Sequence, residues 1–124
     1  MRGKVLVVDD AKIVLIQMQR IIESLDCQAI NAIDAQEGID AARKDPDIKL
    51  IIADINMPGM NGLEMCSEIR KMPSHKSTRI IICTTEASSQ MKEKAKQIGV
   101  NGWLVKPINE ATIAKLIEAT FGKV

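Results

Sequence analysis

The sequence predicts an α/β domain: a five-stranded parallel sheet, doubly wound by five helices. Four short apolar runs carry that prediction: Val5–Val8, Leu50–Ala53, Ile80–Cys83 and Trp103–Val105. They are rich in β-branched residues and separated by helix-like segments, the pattern of parallel strands buried on both faces. Each run also stops on a residue able to do phosphate chemistry: Asp9 with Asp10, then Asp54, Thr84 and Lys106. In such a sheet the strand C-termini share one edge, where open α/β folds place their ligand sites. Residues scattered along the chain should therefore meet in one crevice.

The elements follow in order. After Asp9-Asp10, the residues Val14, Met18, Ile21 and Leu25 recur at helical spacing and predict a first helix over Ala11–Leu25. Gln28–Ala32 forms the second strand. Asp34 with Glu37 reads as a capping box opening a helix to about Lys44, with Pro46 beyond its end. The third strand ends at Asp54. The turn-rich loop 56–62 leads into a third helix reaching about Lys71. The fourth strand leads to a helix from about Ser88 to Ile98. Its apolar stripe is thin (Met91, Ala95, Ile98), so it buries little and moves at small cost. Gly102–Val105 is the fifth strand, and Asn109 caps a last helix with Ile113, Leu116, Ile117 and Phe121 inward.

A chain of 124 residues suits one domain with a real core, so 1–124 is expected to be a single unit without an output domain. The net charge of +1, from 17 basic and 16 acidic side chains, gives no strong attraction to nucleic acid. Cys27, Cys66 and Cys83 are odd in number and lack metal-type spacing. Cys27 and Cys83 fall on apparent strands, and buried thiols in a reducing cytoplasm explain all three. No stretch is long enough for a signal peptide or a membrane span. A cytoplasmic protein is expected, without nucleic-acid or membrane partners.

Grouping Asp9, Asp10 and Asp54 is unfavourable unless positive charge intervenes. Mg²⁺ suits oxygen ligands of this kind, with the Asn56 carbonyl as a further ligand, and Lys106 supplies a second cation. Metal on one side and ammonium on the other would stabilise a phosphoryl group crossing to a carboxylate oxygen. Asp54 is then the nucleophile, forming an acyl phosphate, and Thr84 donates to a phosphoryl oxygen. Singly, each residue is ordinary: an Asp at a strand end is usually a turn former, and a Thr is usually a strand residue. Their occurrence together at four independent strand ends carries the reading.

With these residues in place, the chain resembles a receiver domain of two-component signalling over its whole length. The resemblance lies in Val-Val-Asp9-Asp10, Asp54-Ile-Asn-Met-Pro58-Gly-Met-Asn-Gly62, Thr84 and Lys106-Pro107. It implies a flavodoxin-like strand order 2-1-3-4-5 and an acidic pair at Asp9 and Asp10. It further implies phosphoacceptor Asp54, switch hydroxyl Thr84, site lysine Lys106 and a cis peptide before Pro107. Thr84-Thr85-Glu86 and Gly102-Trp103-Leu-Val-Lys106-Pro107 are similar to small single-domain chemotaxis regulators, with Trp103 as the switch aromatic. The resemblance then implies a histidine kinase as phosphodonor and a protein output partner, such as a motor switch, for a monomer that is not an enzyme beyond its own phosphorylation and dephosphorylation. Asn56 and Glu86 stand where the family tunes phosphate lifetime, and their pairing implies a short-lived phosphorylated state.

Three positions depart from the pattern. Ala11 replaces a frequent Ser, Ile108 replaces a frequent Phe, and Thr85 is bulkier than usual and expected to narrow access to the phosphate. Other functions fit less well. An Asp-nucleophile hydrolase commonly carries a second Asp where Asn56 stands, and no cap domain is expected in a chain read as one domain. A flavin site would need a phosphate cradle after the first strand, where Asp9-Asp10 repels phosphate, and aromatic stackers the chain lacks. A phosphorelay carrier or phosphate sink would use the same site. His75, in a polar turn after Pro73, is expected to be solvated. Lys92, Lys94 and Lys96 spread over several helix faces and suggest solubility or a weak acidic docking surface.

Overall fold

A computed structural model describes residues 2–86 and 88–122. In chain order the elements are β1 (Lys4–Val8), α1 (Lys12–Ser24), β2 (Gln28–Ala32), α2 (Ala35–Lys44), β3 (Ile48–Ala53), α3 (Gly62–Arg70), a 3₁₀ turn (Pro73–His75), β4 (Arg79–Thr84), α4 (Ser89–Ile98), β5 (Gly102–Val105) and α5 (Glu110–Phe121). The five strands pair in parallel in the order β2-β1-β3-β4-β5. The order reverses at β1 and β3, so connections diverge to opposite faces there and leave a crevice at the strand C-termini.

Alternation along the strands divides the core in two. Leu6, Val8, Ile51, Ala53, Ile80 and Ile82 face α2, α3 and α4. Val5, Val7, Leu50, Ile52, Ile81 and Cys83 face α1 and α5, meeting Leu15, Met18, Ile22, Ile113 and Ile117. Both faces of the central strands are thus covered, which is why their sequence is continuously apolar instead of alternating.

Local capping fixes where the helices begin. Asp34 accepts from the Glu37 N–H at 2.8 Å, and Glu37 reaches back to the Ile33 N–H at 2.9 Å. Asn61, Ser88 and Asn109 cap α3, α4 and α5 in the same way. The predicted bounds hold to within about two residues: β3 starts earlier, at Ile48, and α1 is one residue shorter at each end. Cys27 lies just ahead of β2, not on it, and all three thiols are free and buried. Among the described residues, no helix is long and apolar enough to cross a membrane.

His75 overturns an expectation. It is fully buried, not solvated. Its Nε2 lies 2.6 Å from the Ala42 carbonyl and its Nδ1 2.8 Å from Thr78 Oγ1, which in turn lies 3.4 Å from the Ile48 carbonyl. Ala42 sits in the last turn of α2, where carbonyls lack intrahelical partners. The 3₁₀ turn swings the imidazole under that end and satisfies one of them. Polar neighbours along the chain conceal this, because the partner is distant in sequence.

Replacing His75 by Ala should therefore leave a buried carbonyl unpaired beside a new cavity, at a cost of about 2–4 kcal/mol. Urea unfolding monitored by circular dichroism checks this; a loss within the ~0.5 kcal/mol usual for surface substitutions would contradict the assigned role.

Candidate functional site

Continuation of the sheet's hydrogen bonding past the strand ends sets the site residues side by side. The Asp9 N–H donates to the Ala32 carbonyl (3.1 Å), Asp54 N–H to Val8 (3.0 Å) and Lys106 N–H to Thr84 (2.8 Å). Asp9, Asp54, Thr84 and Lys106 thereby stand on neighbouring strands at one edge. The Lys106 Nζ lies 2.6 Å from Asp9 Oδ2 and 2.8 Å from Asp54 Oδ2. These side chains are only 17 %, 4 % and 10 % exposed, so solvent screens them weakly.

The second oxygen of each carboxylate is held by the backbone. Asp9 Oδ1 accepts from the Ala11 N–H at 2.9 Å, ahead of α1, and Asp54 Oδ1 from the Asn56 N–H at 3.1 Å. Both groups are thus aimed before any substrate arrives. Burial pushes the Asp54 carboxyl up, but the Lys106 ammonium, the Thr84 hydroxyl and the Asn56 N–H outweigh it and leave the pKa below the ordinary 3.8. Burial likewise pushes Lys106 down, yet the hydrogen bonds it donates to Asp54 and Asp9 leave it above 10.5. Both groups are charged at neutral pH. Burial, with the two carboxylates adding to it, pushes the neighbouring Cys83 thiol up to about 12, so it stays protonated and does not compete as a nucleophile.

Asp10 stands apart. It is exposed, and among the described residues no three carboxylate, imidazole or thiol side chains gather into a ready metal cage. The Lys106 ammonium fills the space between Asp9 and Asp54 that charge balance requires to be positive. The donors nonetheless fit a hard dication: two buried, oriented carboxylates, a third next in the chain, and no nitrogen or sulfur ligand.

Glu86 links the predicted switch residues through its own peptide groups. Its N–H donates to Thr84 Oγ1 at 3.3 Å, and its carbonyl accepts from Trp103 Nε1 at 3.1 Å. Thr84 is fully buried and Trp103 half-buried, while the side chains of Glu86 and Asn56 are exposed. Thr85 is exposed on the rim of an apolar groove of about 580 Å³, shared with Val14, Ile21, Lys106, Pro107 and Ile108. It thus borders the groove beside Lys106. The Lys106–Pro107 peptide is cis, as expected.

Gly62 has a role that its place in a turn-rich loop does not reveal. A Cβ there would collide with the Asp54 carbonyl oxygen and crowd the Ile55 Cα at 2.9 Å. Its N–H also bonds the Ile55 carbonyl at 3.0 Å. The start of α3 thus packs against the backbone carrying the nucleophile, which only glycine permits. A glycine at a first helical position, directly after a capping Asn, is the sequence signal for such an approach.

Residues 5–118 match the family model of the response regulator receiver domain. The chain is 34% identical to chemotaxis protein CheY-3 of Vibrio cholerae over 122 residues, covering 95% of this chain and 91% of that one. A solved structure of V. cholerae CheY4 superposes with a TM-score of 0.89 at 34% identity, covering 95% and 98% of the two chains. The CheX–CheY–BeF₃–Mg complex of Borrelia burgdorferi gives a TM-score of 0.87 at 27% identity, covering 98% and 90%.

Two outcomes follow from the geometry. Gly62→Ala should cost about 1–3 kcal/mol through overpacking, and shift the amide resonances of Ile55 and Asn56 as well as those of α3. Shifts confined to α3 would contradict the proposed contact. In metal-free buffer, stability should fall at both pH extremes. The share from Asp54, whose folded pKa is lowered, is present above 3.8 and is lost as pH falls through the lowered value. The share from Lys106, whose pKa is raised, is present below 10.5 and is lost as pH rises through the raised value. Urea midpoints of wild type and Lys106→Met should therefore converge at alkaline pH; a constant gap there would refute the assignment.

Proposed function

This chain belongs to the response regulator receiver domain family, and from that premise we propose that it is a phosphorylation-controlled switch. It takes a phosphoryl group onto Asp54 from a phosphohistidine kinase and alters its affinity for a protein partner, in the cytoplasm and in a chemotaxis or motility pathway. The observation that carries the reading is the Lys106 ammonium bound at once to Asp9 Oδ2 and Asp54 Oδ2.

The chemistry needs little beyond what is already placed. Asp54 is ionised at neutral pH, so its carboxylate oxygen attacks phosphorus without a general base. The phosphorus–nitrogen bond of the donor breaks as the new phosphorus–oxygen bond forms. Lys106 offsets the charge on the equatorial oxygens, and the Thr84 hydroxyl donates to one of them. Asp9, Asp10, Asp54 and the Asn56 carbonyl would hold Mg²⁺, which supplies further charge neutralisation. The magnesium named in the Borrelia complex supports this assignment. The domain would thus catalyse only its own phosphorylation and dephosphorylation.

Transmission starts at Thr84. When its hydroxyl turns to a phosphoryl oxygen, the Glu86 N–H loses a partner, and the peptide holding Trp103 Nε1 is freed with it. Phosphate then favours one of two pre-existing arrangements of Trp103 and the β4–α4 segment. The exposed side chains of Asn56 and Glu86, two residues past Asp54 and Thr84, control water access and set a short phosphate lifetime. The relation to CheY-3, named a chemotaxis protein, supports the pathway.

Incubation with Mg²⁺ and acetyl phosphate, acid quench and intact-mass measurement test the reading. Wild type should gain one phosphoryl group and Asp54→Asn none; an equal gain in both, or none in wild type, would sink it. After removal of the donor the adduct should vanish quickly, and persistence for hours would refute the lifetime assignment.

A further inference from the structure

Helix α4 fully buries only Ala95, so apolar packing alone holds it weakly. Its two ends are secured very differently. At the C-terminus Gly99, at φ +99°, closes the helix with its N–H on the Ala95 and Lys96 carbonyls. The Gly99 carbonyl then receives both Nε (3.2 Å) and Nη2 (2.9 Å) of Arg70, the last residue of α3. The same Nη2 donates to Asn101 Oδ1 at 2.8 Å, and Nη1 donates to the His75 carbonyl at 2.7 Å. Asn101 Oδ1 also accepts from the Ile80 N–H at 2.8 Å, which ties the clamp to the start of β4. One guanidinium therefore joins α3, the 3₁₀ turn, the end of α4 and the sheet.

Among the described residues, the N-terminus of α4 has no such clamp. Ser88 caps it from within, accepting from the Met91 N–H at 3.3 Å. Glu86, ahead of it, bonds to Thr84 and Trp103 at 3.3 Å and 3.1 Å. Long neutral bonds of this kind are weaker than charge-assisted bonds from a planar fork. Both also end on residues that the switch reorganises.

We propose that Arg70 is the pivot of the switch, a positioning residue that fixes the C-terminal turn of α4 while phosphorylation of Asp54 releases the N-terminal turn. The helix then swings about the Arg70–Gly99 fork instead of shifting as a whole. The groove of about 460 Å³ between α4 and β5, bordered by Lys92, Lys96, Val100 and Trp103, is reshaped from its Trp103 end. Arg70 touches none of the reacting groups and acts only by setting where α4 bends. Lysine cannot replace it, because a point charge does not reproduce the fork. The inference rests on the receiver reading above.

Amide hydrogen exchange on the wild-type chain, with and without Mg²⁺ and beryllofluoride as phosphoryl mimic, tests it directly. Exchange should change at Met91 and Lys92 and stay constant at Gly99 and Val100. Equal changes at both ends, or changes confined to the C-terminal turn, would overturn the pivot. In parallel, Arg70→Gln and Arg70→Lys should take up phosphoryl groups from acetyl phosphate as wild type does, yet lose most of the phosphorylation-dependent change in Trp103 fluorescence. A wild-type fluorescence response in both variants at matched uptake would overturn it, whereas failure of the wild type itself to take up phosphate would remove the receiver reading instead. Should Arg70→Gln not fold, Arg70→Lys and the wild-type exchange still decide.

Discussion

Two nearly buried carboxylates bind one ammonium, and that shared charge is the constraint on which the rest of the site depends. Asp9 and Asp54 stand on adjacent strands, so sheet geometry forces them close together. Without a cation, one of them would have to protonate or turn away. Lys106 resolves the conflict from the end of β5, three strands along from β1. Removing one partner from a buried ionic cluster typically costs about 3–5 kcal/mol, because uncompensated charge stays behind. The same arrangement that stabilises the resting fold is therefore poised for an incoming phosphoryl group, whose negative oxygens need the same cation.

The fold keeps this triad rigid and leaves its surroundings loose. Both sheet faces are covered, the carboxylates are pinned by backbone N–H groups, and Gly62 lets α3 close against the Asp54 carbonyl. Chemistry thus sits on the rigid edge. Beyond Thr84, the chain runs into exposed Thr85 and Glu86 and a helix with one fully buried side chain. A small change at Thr84 is felt there, because among the described residues few bonds hold Glu86 and the start of α4. Rigid acceptor and loosely held reporter are joined through Glu86, whose N–H meets Thr84 and whose carbonyl meets Trp103.

Most of this architecture is legible in the sequence, because it rests on short-range signals. Apolar runs give the strands, Asp34 and Asn109 announce helix starts, and the residues closing four of the strands give the site. What escapes are contacts between elements far apart in the chain. His75 looks solvated because its neighbours are polar, while its partner is a carbonyl at the end of α2. Arg70 looks like an ordinary last-turn cation, while its fork faces Gly99 and Asn101. The exposure of Asp10 is also invisible to spacing, which groups it with Asp9 although only Asp9 turns toward Lys106. Periodicity reports which face of an element is buried; it does not report which backbone group a polar side chain will meet.

The most direct test of the shared-charge account is a carboxyl carbon NMR titration of Asp54 in metal-free buffer, comparing wild type with Lys106→Met. In wild type Asp54 should titrate below 3.8, because the ammonium and its hydrogen bonds outweigh burial. With the ammonium gone, burial and the neighbouring Asp9 act in the opposite direction, and the titration should move upward past the wild-type value. The same Asp54 titration in both proteins would contradict the account, since Lys106 would then not be the charge that holds this site together.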